Sequence, residues 1–234
     1  MTPPVFPPLF TGLEADGADP FALACAKAAE VCDAGLVCHD LGHDRLRAAI
    51  VFAPDVTLRE AACMLPLCGV GFQNALGALA PPEVAVHLGW GGTIYVNGGR
   101  CGALKIAADT ADPDVVPAWL VIGLTLDLWP PVQDTGLTPD ATALYAEGCG
   151  EVDPTTLLEA WVRHTLVQIN AWSDEGQARL HRDWLAVAHG LNARITAGRY
   201  EGTFTGVDEH LGLLLKTGAT SRLIPLTTLL TEPA

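Results

Sequence analysis

Between residues 84 and 128 the chain is a succession of short apolar runs broken by glycine turns, and no other feature constrains the fold as much. Residues 84–90, 93–97, 100–107 and 119–128 have the lengths and the β-branched and aromatic content of strands. Asn97-Gly98-Gly99, between the second and third runs, supplies the positive-φ residues that a tight turn needs. This block is the centre of a sheet, and a sheet must bury a face against other elements.

The flanking segments supply that cover. Asp19-Pro20, an N-cap followed by proline at the first helical position, opens an amphipathic helix through Phe21, Ala24, Cys25 and Ala28 that stops near Gly35. Residues 35–40 and 46–53 read as strands around the polar loop Asp40-Leu41-Gly42-His43-Asp44. Thr57 and Glu60 match a capping box ahead of a long helix over 61–80, which Pro66 should kink and Pro81-Pro82 end. Asp153-Pro154 opens another capped helix carrying Leu157, Leu158, Trp161, Val162 and Leu166, and a further helix follows Gly176. Beyond Asn192, short alternating segments around Gly198, Gly202, Gly206, Gly212 and Gly218 predict three or four strands closing a small barrel. The expected fold class is therefore α+β: a mixed β-sheet flanked by helices over residues 1–190, then a small β-barrel over 191–234. Leu213, Leu215, Leu223 and Ile224 are expected to pack the second on the first.

Half the 234 residues are hydrophobic and 17% are charged, a composition that folds. The 13 basic and 27 acidic residues give a net charge of −14, which opposes nucleic acid and anionic membrane surfaces as partners. No apolar run approaches the ~20 residues that span a bilayer, and the proline-rich start lacks the pattern of a signal peptide, so a cytoplasmic location is expected. Seven cysteines, odd in number and without a CxxC pair, read as buried free thiols, with no metal site expected.

The stretch from Val86 through Trp90, Gly91-Gly92-Thr93, the turn and Arg100 to Gly102-Ala103-Leu104 resembles the central signature of biotin protein ligases. That signature is lysine-tryptophan-proline-asparagine-aspartate, a strand, a turn, then lysine-leucine-alanine-glycine-isoleucine-leucine, and its spacing is kept. Gly123, Thr125 and Asp127 resemble the family's glycine-x-glycine-x-asparagine strand, and Thr142-Ala143-Leu144 its threonine-serine-leucine segment. The end of the chain is similar to the SH3-like barrel that closes many of those ligases. The resemblance thus implies a biotin/lipoate protein ligase-like, class II synthetase-like core. No helix-turn-helix segment precedes that core, so a repressor role is not implied.

A ligase of this kind binds a carboxylate and ATP, forms an acyl-adenylate and passes the acyl group to a lysine. What the resemblance implies is ATP and biotin or lipoate as ligands, and a biotin or lipoyl carrier domain as partner. The residues alone name no cofactor. Arg100 stands where the family's lysine touches carboxylate and phosphate, which makes it the implied catalytic residue; Trp90, Thr93, Gly102, Ala103, His39, Arg45 and Arg47 are the implied substrate contacts. Three departures matter. The family's glycine- and arginine-rich phosphate loop is replaced by a segment from His39 to Arg47 in which Asp40 and Asp44 offset the two arginines. Gly89 stands at the signature lysine, and Gly91, Gly92 and Thr93 replace proline, asparagine and aspartate. Arg100 replaces a compact ammonium by a planar fork, and Lys105, an odd number of residues along the strand, should face the other side.

Other readings stay open for these residues. Arg100 can be a solvated hairpin charge, Trp90 and Tyr95 core or sheet-face aromatics, His39 and His43 ordinary loop histidines. Cys149 invites comparison with the nucleophile of octanoyltransferases of this fold, but it follows the Thr142-Ala143-Leu144 segment where theirs precedes it. Two functions compete: an enzyme that activates or transfers a biotin-like, lipoyl or fatty carboxylate onto a carrier-protein lysine, and a non-catalytic binder of a small carboxylate or carrier domain.

Overall fold

The computed structural model describes residues 3–130 and 140–231. A seven-stranded sheet forms the centre, in the order β1 (Thr11–Glu14), β2 (Leu36–Leu41), β3 (Arg45–Phe52), β7 (Leu120–Asp127), β6 (Gly99–Ala108), β5 (Thr93–Val96) and β4 (Val86–Leu88). β1 runs parallel to β2 and every other neighbouring pair is antiparallel, so the sheet is mixed.

The two faces are covered unequally. On one, α1 (Pro20–Glu30) is started by Asp19, whose carboxylate accepts from Phe21 N at 3.1 Å. Its small buried residues Ala24, Cys25 and Ala28 lie close on Cys38, Ala49, Val51, Ala107 and Val121. Gly123 lets Phe21 reach the sheet, since a Cβ there would stand 2.5 Å from the phenyl ring. On the other face α2 (Leu58–Ala61), α3 (Met64–Leu79), α4 (Pro154–Glu175) and α5 (Gln177–Ala186) make a thicker layer. Trp161 of α4 is fully buried there and donates to Cys68 O of α3 at 3.0 Å.

The long helix predicted over 61–80 is interrupted at Ala62-Cys63, ahead of Pro66. Pro66 sits in the first turn of α3, where a missing N–H costs no helical hydrogen bond, so it kinks nothing. The span Leu58–Leu79 also corrects the reading that no apolar run is long enough to cross a bilayer. By length and composition it passes, but 72% of its most apolar window is buried inside the protein, as a core helix is.

The chain ends in a four-stranded antiparallel sheet of the SH3-like kind, ordered β11 (Thr220–Ile224), β10 (Leu213–Thr217), β9 (Tyr200–Val207), β8 (Arg194–Ala197). It joins the main core through Phe204, Leu213, Leu215, Ile224 and Leu226, and through Trp90, whose indole donates to Leu211 O at 2.8 Å. Leu223 does not belong to that strip. It pairs with Leu214 on the outward face and is 50% exposed. The connection after α5 also runs along the edge of the large sheet, Leu88 N donating to Val187 O and His189 N to Leu88 O, both at 2.8 Å.

Because those apolar side chains are buried against the main core, a fragment of residues 192–234 is expected to be poorly folded. Its size, close to the ~40-residue limit for a lone module, points the same way. Circular dichroism and thermal melting of the expressed fragment check this; a sharp cooperative melt would contradict it.

Candidate functional site

β6 carries an irregularity that decides which residues meet. Thr93 pairs with Ala103 and Ile94 with Gly102, but Tyr95 pairs with Arg100, which leaves Cys101 as an extra residue. Directly paired residues point to the same side, and Thr93 and Tyr95 share a side two residues apart. Arg100 therefore faces the same way as Ala103 and Lys105, and away from Gly102 and Leu104. The odd-number argument that sent Lys105 to the opposite face fails at this bulge. Lys105 is nevertheless occupied elsewhere, 3.4 Å from Asp19 and 4.1 Å from the centre of the Phe21 ring.

On this face lies a cavity of about 390 Å³. Arg45, Arg100, Thr125 and Asp127 line it, Gly102 and Ala103 form part of its floor, and Ala141, Thr142 and Ala146 part of its wall. Its volume lies within the range of small-molecule sites. Arg100 is exposed, but its backbone is fixed: its N–H donates to Asp140 O and its carbonyl accepts from Thr142 N, both at 2.9 Å. The adjacent turn is held too, Asn97 Nδ2 donating to Glu147 at 2.9 Å while Thr142 Oγ1 donates to the other oxygen of that carboxylate. Gly102 has a strand-packing reason to be glycine, since a Cβ there would stand 2.3 Å from Thr125 O.

The arginines divide. Arg45 Nε donates to Asp127 at 2.8 Å, and Arg47, opposite Asp40 in the β2–β3 ladder, is bound to that carboxylate through Nε and Nη2. Arg100 has no carboxylate within salt-bridge distance among the described residues. Only Gly42, His43 and Asp44 connect β2 to β3, a turn too short to fold over a nucleotide.

The remaining sequence candidates lie elsewhere. Thr93 is on the cavity's side of β5, next to Ala103 but outside the lining. His39, paired with Ala48, points to the α3–α4 side and is nine-tenths buried; burial holds its imidazole below the usual histidine range. Trp90 is buried in the joint with the small sheet. Cys149 is fully buried, and burial, with Glu147 and Glu83 nearby, raises its thiol above the ordinary range, the reverse of an activated nucleophile. Sequence reasoning missed Asp127 and Thr125 as cavity residues. It also passed over Trp129, half exposed beside Pro130 and in edge contact with Tyr145, with ring centres 5.1 Å apart. Among the described residues no three His, Cys, Asp or Glu side chains converge as metal ligands would.

This architecture is that of biotin protein ligases. The ligase of Aquifex aeolicus superposes with a TM-score of 0.73 over 92% of this chain and 96% of that one, at 14% identity, which is a likeness of fold. The model of the Biotin/lipoate A/B protein ligase family matches residues 6–186, and the chain belongs to that family. Residues 192–232 match a domain of unknown function (DUF4444). The biotin--[acetyl-CoA-carboxylase] ligase of Paracoccus denitrificans is 25% identical over 186 residues, 75% of each chain. A biotin protein ligase-like protein of unknown function from Silicibacter sp. TM1040, known from its crystal structure, is 57% identical with a TM-score of 0.93, over 98% of this chain and 100% of that one.

Proposed function

We propose that this protein binds a small carboxylate, biotin-like, lipoyl or fatty, through Arg100, and that it lacks the means to bind a triphosphate tightly. The observation that carries the reading is the division of the arginines. Arg45 and Arg47, the cations of the segment that replaces the phosphate loop, already have carboxylate partners, and detaching either would leave Asp127 or Asp40 unpaired. Arg100 projects from a fixed strand end into a cavity of suitable size, and a guanidinium holds a carboxylate through two parallel hydrogen bonds. A biotin or lipoyl carrier domain is the macromolecular partner that fits this reading.

ATP alone is expected to bind with a millimolar Kd. Losing two charge-assisted hydrogen bonds at ~1.5 kcal/mol each weakens binding on the order of a hundredfold relative to an equipped site. Calorimetry with biotin, lipoate, octanoate and ATP, followed by pyrophosphate exchange, is the test. Carboxylate binding without exchange supports a binder; micromolar ATP affinity sinks the reading. Exchange above background would favour the catalytic alternative, which the position of Arg100 on the family's lysine supports.

A further inference from the structure

A second cavity lies at the far end of β3. Phe10, Phe52, Met64, Leu166, Ile169 and Trp172 are among its walls, and its volume is about 270 Å³. Arg45 and Phe52 are the two ends of an eight-residue strand, so at ~3.3 Å per residue the two cavities are separated by about 23 Å along it. Nothing in the carboxylate reading uses this space.

The N-terminal segment is fastened across it. Leu9 adopts a left-handed backbone conformation at φ 80°, and its carbonyl lies against Gly35, where a Cβ would stand 2.0 Å from that oxygen. Gly35 in turn donates to Val51 O at 2.9 Å and accepts from Thr11 N at 3.1 Å. Only glycine allows this strap, and the strap supplies the Leu9-Phe10 side of the cavity. The space is therefore preformed.

Asp55, Val56 and Trp172 also line an outer chamber of about 560 Å³ that carries Glu60, Gln177, Glu209 and His210. Trp172 stands where the two meet, its ring oriented by a 2.7 Å hydrogen bond from Nε1 to Gln177 Oε1. Among the described residues the two linings hold three carboxylates and no lysine or arginine. An alkyl carboxylate would bring its charge against like charges, and a neutral alcohol would gain apolar burial alone. A cation with an apolar body gains burial, attraction to the carboxylates and an aromatic face at the junction.

We propose that this double chamber is a second ligand site, for a small molecule with an apolar body and an ammonium head. The body occupies the inner chamber, and the head sits by Trp172 among Asp55, Glu60 and Glu209.

The test titrates octylammonium, octanol and octanoate into the full chain carrying Arg100→Ala, so that octanoate has no claim on the other cavity. Octylammonium should bind about threefold more tightly than octanol and about tenfold more tightly than octanoate, because exposed charge pairs contribute modestly. Asp55→Asn combined with Glu60→Gln should bring octylammonium to the level of octanol and leave octanol unchanged. Both positions are exposed, so this variant keeps its fold, which a change in the inner wall such as Ile169→Trp puts at risk. Similar affinities for all three probes, no binding of any, or an octylammonium affinity unmoved by the double substitution would overturn the assignment.

Discussion

Arg100→Ala is expected to lower affinity for the carboxylate ligand by a factor of ten to a hundred or more while leaving the melting temperature almost unchanged. A charge-assisted contact in a partly desolvated cavity contributes roughly 1.5–3 kcal/mol, and that is what truncation removes. The structural role of residue 100 lies in its backbone, which donates to Asp140 and accepts from Thr142, and alanine preserves both bonds. The exposed side chain makes no ion pair among the described residues that would be broken. Arg100→Lys restores the residue type of the family signature and should retain carboxylate binding. Calorimetry on the wild type and the two variants, with a melt of each, is the measurement. Equal affinity in all three would mean that Arg100 is only a hairpin charge.

The opposite pattern is expected of Trp161→Ala, with a large loss of stability. Trp161 is fully buried where α4 packs on α3, and its N–H is satisfied by Cys68 O. The helices approach tightly because Gly71 lies opposite Thr165, where a Cβ would stand 2.9 Å from the hydroxyl and 3.1 Å from its Cα. A junction that close cannot collapse into the space of a lost indole, so the cost should fall at about 3–5 kcal/mol, much of the stability of an ordinary domain. Trp161→Phe, which keeps a ring, should cost less. Urea denaturation followed by circular dichroism reads both; a change under 1 kcal/mol for alanine would show that the layer repacks freely.

These two positions also show what the sequence made legible. Trp161 was visible because Leu157, Leu158, Trp161 and Val162 recur at helical spacing behind the N-cap Asp153, and a buried helix face follows from local pattern. The strands between 84 and 128 were visible for a similar reason, their glycine turns lying between runs of the right length. β1 was not, because Thr11 to Glu14, exposed apart from half-buried Leu13, carry no periodicity. The bulge at Cys101 left no mark either, since neither Arg100 nor Cys101 is a residue that a bulge demands, and it reversed the side assigned to Lys105 relative to Arg100. The partners of the arginines were harder still. Arg45 and Asp127 are 82 residues apart, and only the β3–β7 register makes them neighbours. Leu223 was misplaced by one residue of register, enough to turn a side chain from one face of a strand to the other.

The short run after α5 has a mechanical consequence. A chain with two sheets invites the picture of two bodies swinging on a flexible tether, yet Val187 to His189 is zipped to Leu88 by two main-chain hydrogen bonds and a parallel bridge. His189 then lies flat on Tyr95, ring centres 3.7 Å apart, and Tyr95 is the residue paired with Arg100. Swinging the small sheet would mean unzipping the edge of the large one and unstacking a ring one strand away from the guanidinium. The C-terminal sheet is thus braced against the same strands that hold Arg100 in position, and it acts as a buttress for the site more than as an appendage.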